Sequence, residues 1–310
     1  MGLLKKMFGK SNDVSHEQTS NVLENAVIAY DKDGNEFAIA KNEYRKSVLP
    51  EKFAEVRDDP DKLYDVLVIS LHDGFFEECL APAHRLMEIE KQTERSAVIL
   101  SITLMKIGRL TEAKTVLKDF LNQKGESGIV LTNLAKVQAE EGDIDGSRQT
   151  LWKALNVDPN QENGLDWFAA IARDEKGDDG FYEAIERVSK INGSWRPQLW
   201  LARALLENKK IDSAIELYSK ILQVKELPQD VYMMISGDLG NSGYLVQMID
   251  LILPVYDVER HGAITGINLM QALHKLGDKR RALEICESLE KLKRYDIMQH
   301  LKEWRAELEQ

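Results

Sequence analysis

Glycines recur along this chain at an interval close to 34 residues, and this interval restricts the fold more than any other feature of the sequence. The series consists of Gly74, Gly108, Gly142, Gly177, Gly243 and Gly277. Successive separations are 34, 34, 35, 66 and 34 residues, and the interval of 66 spans two periods, with Lys209 where a glycine is missing. Such a period is typical of stacked-repeat proteins, in which each unit packs only on its neighbours. We therefore expect function to lie on an extended surface rather than in an enclosed catalytic pocket.

Small and apolar residues keep fixed positions relative to these glycines. In residues 128–161 these positions hold Leu131, Leu134, Ala135, Ser147, Leu151, Ala154 and Leu155. Their spacings of 3, 4 and 7 are helical, Gly142 interrupts the pattern, and Pro159 ends it because proline cannot continue a helix. The other units of the pattern are 60–93, 94–127, 162–194, 195–228, 229–262 and 263–296. In 162–194 we expect a longer turn, since seven residues rather than five separate Gly177 from the next small position, Ala184.

In this register the chain resembles the tetratricopeptide-repeat family. The resemblance covers residues 60–296 and recurs in register, although Gly125 stands where the second unit would have its proline. It implies an all-α fold, a right-handed α-α superhelix of about seven helix pairs. Small residues are needed where the two helices of a pair touch, because a large side chain would force them apart. In this family the first helices line a concave groove that usually binds a peptide or a partner protein.

The two ends of the chain differ from the repeats. Residues 27–30 and 36–40 are strand-like and flank Asp33-Gly34, which predicts a short N-terminal β-hairpin. An isolated hairpin is marginally stable, so we expect residues 26–59, the hairpin and a short helix, to dock on the array. Residues 1–25 read as a flexible tether, and 1–10 is the only segment from which we expect membrane contact. Residues 297–310 are expected to form a capping helix with one apolar face.

Composition excludes several functional classes. The chain carries 52 acidic and 41 basic residues, a net charge of −11, so we expect no nucleic-acid partner. No run approaches the ~18 apolar residues of a membrane span, and we expect a cytoplasmic protein. Cys79 and Cys286 fall on helix faces that point into the core, which favours buried, reduced thiols. No motif indicates a catalytic residue, a metal site or a cofactor, so we expect none of the three.

Candidate contact residues come from the helix positions that face the groove in the family. They are Asn133, Lys136, Trp167, Arg196, Trp200, Arg203, Gly237, Gly240, Asn268 and Gln271. Amides pair with peptide backbone, cations with carboxylates, and aromatic rings anchor partner side chains. Two alternatives stay open for the larger residues. The tryptophans would instead pack between repeats, and Lys136 and Arg203 would form ordinary ion pairs, for example with Glu140 and Glu207.

Gly237 and Gly240 stand inside a predicted helix, where each costs about 1 kcal/mol relative to alanine. One interpretation is that the helix ends early in a loose turn. The other is a surface notch that a ligand or partner backbone approaches closely.

Together these features predict a non-enzymatic scaffold that binds a protein or peptide in its concave groove. An alternative is a self-associating assembly module, because an unpaired hairpin edge is a template for strand pairing. A third is a ligand sensor or an enzyme accessory subunit. The sequence leaves the oligomeric state open.

Overall fold

The computed structural model describes residues 26–30 and 36–309. Strands β1 (Ala26–Tyr30) and β2 (Glu36–Ala40) form an antiparallel hairpin in which Ile28 lies opposite Ala38, and this confirms the expected hairpin. The predicted tether of residues 1–25, the membrane contact of 1–10 and the turn of 31–35 lie outside the described residues.

Helices make up most of the rest, as the all-α prediction required. Within the described residues, a helical turn, Lys41–Glu43, and a π-helical turn, Tyr44–Val48, lead into fifteen α-helices of eight residues or more. They are α1 (Leu49–Val56), α2 (Pro60–His72), α3 (Leu80–Ile89), α4 (Glu94–Lys106), α5 (Leu110–Lys124), α6 (Gly128–Glu140), α7 (Ile144–Val157), α8 (Glu162–Ser189), α9 (Arg196–Glu207), α10 (Ile211–Ile221), α11 (Gln229–Asn241), α12 (Leu245–Ile252), α13 (Val258–Lys275), α14 (Lys279–Glu290) and α15 (Tyr295–Leu308).

The chain forms two compact units. The first contains the described residues up to Glu126 together with Asn133–Arg148. In it α2 to α5 pack in chain order, and their side chains Leu67, Leu86 and Leu117 are fully buried. Ahead of α1, the Tyr44 ring stacks on Phe75 with 5.4 Å between ring centroids. The segment after the hairpin is therefore anchored on the first repeat by an aromatic contact.

The second unit contains Ser127–Thr132 and the described residues from Gln149 onward. Helices α8, α9 and α10 pack in chain order, and so do α11 to α15. Helix α11 also contacts α9 and α13, the first helices of the repeats before and after it. The main core includes Tyr218, Ile235 and Leu269, all fully buried. On α15, Leu301 and Leu308 are buried against this core.

The glycines of the 34-residue series close the turns between paired helices. All six adopt a positive φ, between 70° and 86°, a region that L-residues with a side chain rarely occupy. Lys209, at the position of the missing glycine, adopts the same left-handed region with φ 60°. The period of the sequence is therefore the period of a backbone conformation.

The longer turn expected in residues 162–194 is wrong. Helix α8 runs from Glu162 to Ser189, and only Gly177, with φ 70° and ψ −156°, leaves the helical region. A Cβ on Gly180 would lie 2.3 Å from the carbonyl oxygen of Ala172, so the second half folds back tightly on the first. Two glycines thus replace a loop with a one-residue break.

Candidate functional site

A notch opens between α11 and α13 in the second unit. Its volume is about 190 Å³. The residues that give it its chemistry are Gly237, Gly240, Asn241, Asn268, Gln271 and Lys275. Four of these, the two glycines with Asn268 and Gln271, are among the ten residues predicted from sequence. Neighbouring repeats bring them together because equivalent helix positions lie side by side.

Packing does not require glycine at either of the two notch positions. Helix α11 continues through Gly237 and Gly240 to Asn241, so the expectation of an early helix end is wrong. A Cβ on Gly237 would meet nothing within 4 Å, and one on Gly240 would meet only Met248 Sδ at 3.8 Å. The missing side chains leave open space at the surface.

The polar groups of the notch are only partly satisfied within the chain. Asn268 Nδ2 donates to Ser236 Oγ over 2.9 Å, and that hydroxyl donates to the carbonyl of Met233 over 2.9 Å. The exposed side chains of Gln271 and Lys275 form no hydrogen bond or ion pair with the described residues. The notch therefore offers amide groups and one ammonium group to a ligand.

A second cavity, of about 230 Å³, lies beside the first turn of α11 and the first turn of the segment of α13 that follows Gly262. We name it the His261 cavity, and its polar lining residues are Gln229, Asp230, His261, Thr265 and Arg294. Gly262 interrupts α13 there with φ 79°, and a Cβ on it would lie 1.7 Å from Gln229 Nε2. Only glycine allows the glutamine side chain to lie against this break.

The imidazole of His261 is held in one orientation. Its Nδ1 accepts a hydrogen bond from the backbone N–H of Asp257 over 2.9 Å, so the proton of the neutral ring is on Nε2. The ring also packs on Tyr232, with 3.9 Å between centroids. Burial, reinforced by the charge of Arg260, lowers the pKa of His261 below its usual 6.5. The ring is therefore a fixed neutral donor at neutral pH.

Thr265 adds an unsatisfied group to the same cavity. Its side chain is fully buried, and Oγ1 has no hydrogen-bond partner among the described residues. Sequence reasoning missed the His261 cavity. The one signal was His261-Gly262 next to the start of a predicted first helix, and this motif alone does not indicate a site.

The other aromatic and basic candidates of the second unit are largely used inside the chain. Trp200 stacks on Phe181, with ring centroids 6.4 Å apart and planes 6° apart, which matches the packing alternative. Trp167 is half-buried. Arg196 donates from Nε to the carbonyl of Asn160 over 2.7 Å, so its guanidinium joins two repeats.

Arg203 pairs with a residue of the next repeat. Its Nε donates to Asp238 Oδ1 over 2.9 Å, whereas the alternative expected from sequence was Glu207. Asp238 also accepts from the hydroxyl of Tyr218 over 3.0 Å. We therefore leave Arg196, Trp200 and Arg203 out of the proposed binding surface.

The remaining two candidates belong to the first unit. Asn133 is buried, with 8% of its surface exposed. Lys136 is half-buried and has no carboxylate within ion-pairing distance among the described residues, so the pair considered with Glu140 is absent there. Desolvation, and secondarily the charge of Lys106, lowers the pKa of Lys136.

Both cysteines lie in the core. Cys79 and Cys286 are fully buried, and burial raises the pKa of Cys79 to about 12 and also raises that of Cys286. Their thiolate forms are disfavoured at neutral pH, so neither is a reactive nucleophile.

Within 26–30 and 36–309, no cluster of three or more His, Cys, Asp and Glu side chains could hold a metal ion. Across the same residues, every helix is too short or too polar to span a bilayer.

The repeat itself decides the fold type. Paired helices joined by a left-handed residue recur every 34 residues or so, and fully buried Ala113, Ala214 and Ala282 occupy the same position in three pairs. The fold is of the tetratricopeptide-repeat type. No family model and no curated protein matches the sequence.

Solved structures give distant matches. A structure of Naa15/Naa10 bound to HypK-THB is 13% identical, with a TM-score of 0.36, over 80% of this chain and 39% of the matched chain. A tetratricopeptide repeat protein from Parabacteroides merdae is 13% identical, with a TM-score of 0.32, over 81% of this chain and 99% of its own. PilF of Pseudomonas aeruginosa is 15% identical, with a TM-score of 0.36, over 81% and 99%.

Proposed function

We propose that the protein is a non-enzymatic scaffold whose second unit binds an extended peptide segment of a partner protein in the notch. The observation that carries this proposal is that Gly237, Gly240, Asn268 and Gln271 line one cavity although packing does not require the glycines. Amide side chains hydrogen-bond to the main chain of an extended peptide, and glycines let that main chain come closer than a methyl group would. The ammonium group of Lys275 favours an acidic group on the ligand.

The energetic cost of the two glycines supports the same conclusion. Each loses about 1 kcal/mol relative to alanine in a helix interior. The space around Gly237 would accept alanine without any contact, so the fold gains nothing from this cost. A ligand backbone that approaches the helix closely would explain why glycine is present despite this cost.

Panning a random-peptide phage library on the immobilised protein tests the proposal. Gly237→Leu fills the notch with a residue that favours helix. The matched control is Asp250→Leu, which puts the same side chain on an exposed position of α12 outside the notch. We expect peptides that the wild type and Asp250→Leu enrich equally and that Gly237→Leu retains at least about tenfold less.

Two outcomes would contradict this function. One is a set of peptides that Gly237→Leu retains as well as the wild type does, which would put the binding surface elsewhere. The other is a library in which the wild type enriches nothing above a bare support. Circular dichroism of each variant establishes that helicity is retained.

We propose self-association through the hairpin as the second candidate function. Ile28 is 50% exposed and Phe37 46% exposed, on opposite faces of a sheet that has two strands in the described part of the chain. Exposed apolar strands with open edges favour pairing between copies. Light scattering at increasing concentration would show a mass increase that Ile28→Lys abolishes, and a monomer at every concentration excludes this function.

A further inference from the structure

The two cavities on α11 and α13 present charges of opposite sign. In the His261 cavity, Asp230 is half-buried and has no ion-pair partner among the described residues. The other charged lining residue, Arg294, is held by Asp296, with 3.1 Å between Nε and Oδ1. The charge left without a partner is therefore negative. In the notch the charge without an ion-pair partner is positive, because Lys275 is the one ionisable residue among those that line it.

The His261 cavity also has hydrogen-bonding groups suited to the main chain next to a bound side chain. His261 has only Nε2–H left to donate, since Nδ1 is occupied by Asp257 N–H. The buried Thr265 hydroxyl has no partner among residues 26–30 and 36–309 and can both donate and accept. A group with a donor and an acceptor, such as a peptide unit, satisfies both, and burying such groups without partners is unfavourable.

The distance between the cavities sets the length of the ligand. Ile264 lines one cavity and Lys275 the other, and both are on α13. Eleven residues of helix at 1.5 Å each give a separation of about 16 Å. An extended peptide covers roughly 3.3 Å per residue, so about five residues connect the two cavities.

From this geometry we propose that the bound segment carries a basic residue at Asp230 and an acidic residue at Lys275, about five positions apart. The proposal depends on the peptide-binding function of the notch and specifies its ligand. Charge complementarity of this kind sets which partners bind and in which register. The hydrogen bonds of His261 and Thr265 hold the main chain beside the basic residue.

Charge-reversal variants in the phage selection test the proposal. We expect the wild type to enrich peptides with Lys or Arg about five positions from Asp or Glu. Asp230→Lys should replace the enriched basic residue by an acidic one and leave the acidic position unchanged, whereas Lys275→Glu should do the converse. A synthetic peptide from the wild-type selection should bind each variant about tenfold more weakly in fluorescence anisotropy.

The controls separate charge recognition from damage to the helix. Asp230 is in the first turn of α11, where a lysine opposes the helix dipole. Asp212, in the first turn of α10 and exposed, is the matched position, and Asp212→Lys should leave the selection unchanged. Asp230→Asn, which removes the charge without reversing it, should lose the preference for a basic residue. An unchanged preference in Asp230→Asn overturns the proposal.

The experiment also distinguishes this proposal from the proposed function. If enriched peptides depend on Gly237 but neither charge reversal alters their composition, the notch binds peptide and the charge pairing is wrong. If the wild type enriches no peptide, both proposals are wrong. Full restoration of binding when the charge of the peptide residue is reversed along with Asp230 supports the pairing directly.

Discussion

Arg203 donates a hydrogen bond from Nε to Asp238 Oδ1 over 2.9 Å and so joins α9 to the first helix of the next repeat. Asp238 has only 13% of its side chain exposed, so loss of this cation leaves a poorly solvated carboxylate. We expect Arg203→Glu to lower the free energy of unfolding by about 1–2 kcal/mol, less than for a buried pair because the arginine is half-exposed. Urea denaturation measures the change.

Glu207 provides the control for this pair. Glu207→Gln should leave the urea midpoint unchanged if Asp238 is the partner of Arg203. Equal effects of Arg203→Glu and Glu207→Gln would contradict the assignment. Tyr218→Phe removes the second hydrogen bond to Asp238 and should cost about 1 kcal/mol.

Lys209 carries backbone strain that the glycines of the other repeats avoid. Its φ of 60° is in the left-handed region, where a residue with a Cβ pays about 1–2 kcal/mol. Glycine removes this strain, but it also makes the unfolded chain more flexible and so raises the entropy cost of folding. On balance Lys209→Gly should stabilise the protein by about 0.5–1 kcal/mol in urea denaturation. Lys210 has φ −90°, and Lys210→Gly should be neutral or destabilising. A gain from both substitutions would exclude relief of strain as the cause.

Gly237 separates stability from binding. Because a Cβ there meets nothing within 4 Å, Gly237→Ala should raise the free energy of unfolding by about 1 kcal/mol. Thermal denaturation followed by circular dichroism measures this. Gly262→Ala is the converse control, since its φ is 79° and its Cβ would lie 1.7 Å from Gln229 Nε2, so it should destabilise. A lower melting temperature for Gly237→Ala would contradict the open space found around the Cβ position of this glycine.

His261 should make stability depend on pH in the weakly acidic range. Burial lowers its pKa in the folded state below 6.5, and Arg260 adds to this while Asp257 opposes it. The unfolded chain therefore binds the proton first as the pH falls. Stability should be constant above about pH 6.5 and decrease as the pH falls from there through the folded pKa.

Urea midpoints between pH 7.5 and about pH 5 test the effect of His261, whose cavity also contains the charges of Asp230 and Arg294. His261→Asn keeps an acceptor near the Nδ1 position and does not titrate, so its midpoint should fall less over this interval. His72 is exposed, and His72→Asn should keep the wild-type slope. Equal slopes for the wild type and His261→Asn would contradict the prediction.

The fold could be predicted from sequence because its period comes from a local backbone property. A left-handed turn residue is needed at each repeat, and glycine supplies it without strain. The same register named Gly237 and Asn268 as candidate contact residues, and the structure brings both to one notch because neighbouring repeats superpose equivalent positions. Side-chain partners between repeats were not predictable in this way. Arg203 was compared with Glu207 on its own helix, whereas its partner is Asp238, 35 residues further along the chain.

The His261 cavity depends on tertiary geometry that the spacing of residues in the sequence does not indicate. It requires the break at Gly262, the packing of the imidazole on Tyr232, and the hydrogen bond that the backbone N–H of Asp257 donates to the imidazole. Each of these involves a backbone or side-chain conformation rather than a residue type. The unpaired Thr265 hydroxyl becomes visible only when its neighbours are known.

We expect the half-buried charge of Lys136, in the first unit, to lower the free energy of unfolding at neutral pH. Desolvation first, and Lys106 second, lowers its folded pKa below the usual 10.5. Since the folded state binds this proton less well than the unfolded chain does, stability should increase as the pH rises toward 10.5. Lys136→Met keeps the apolar stem and removes the charge.

We therefore expect Lys136→Met to raise the urea midpoint at pH 7 and to show little of the wild-type gain in stability at alkaline pH. Lys106 is exposed, so Lys106→Met should give a smaller increase through loss of the repulsion alone. A lower midpoint for Lys136→Met would mean that the ammonium group has an anionic partner in the folded chain. A higher midpoint would confirm that the half-buried ammonium group lowers the stability of the folded chain.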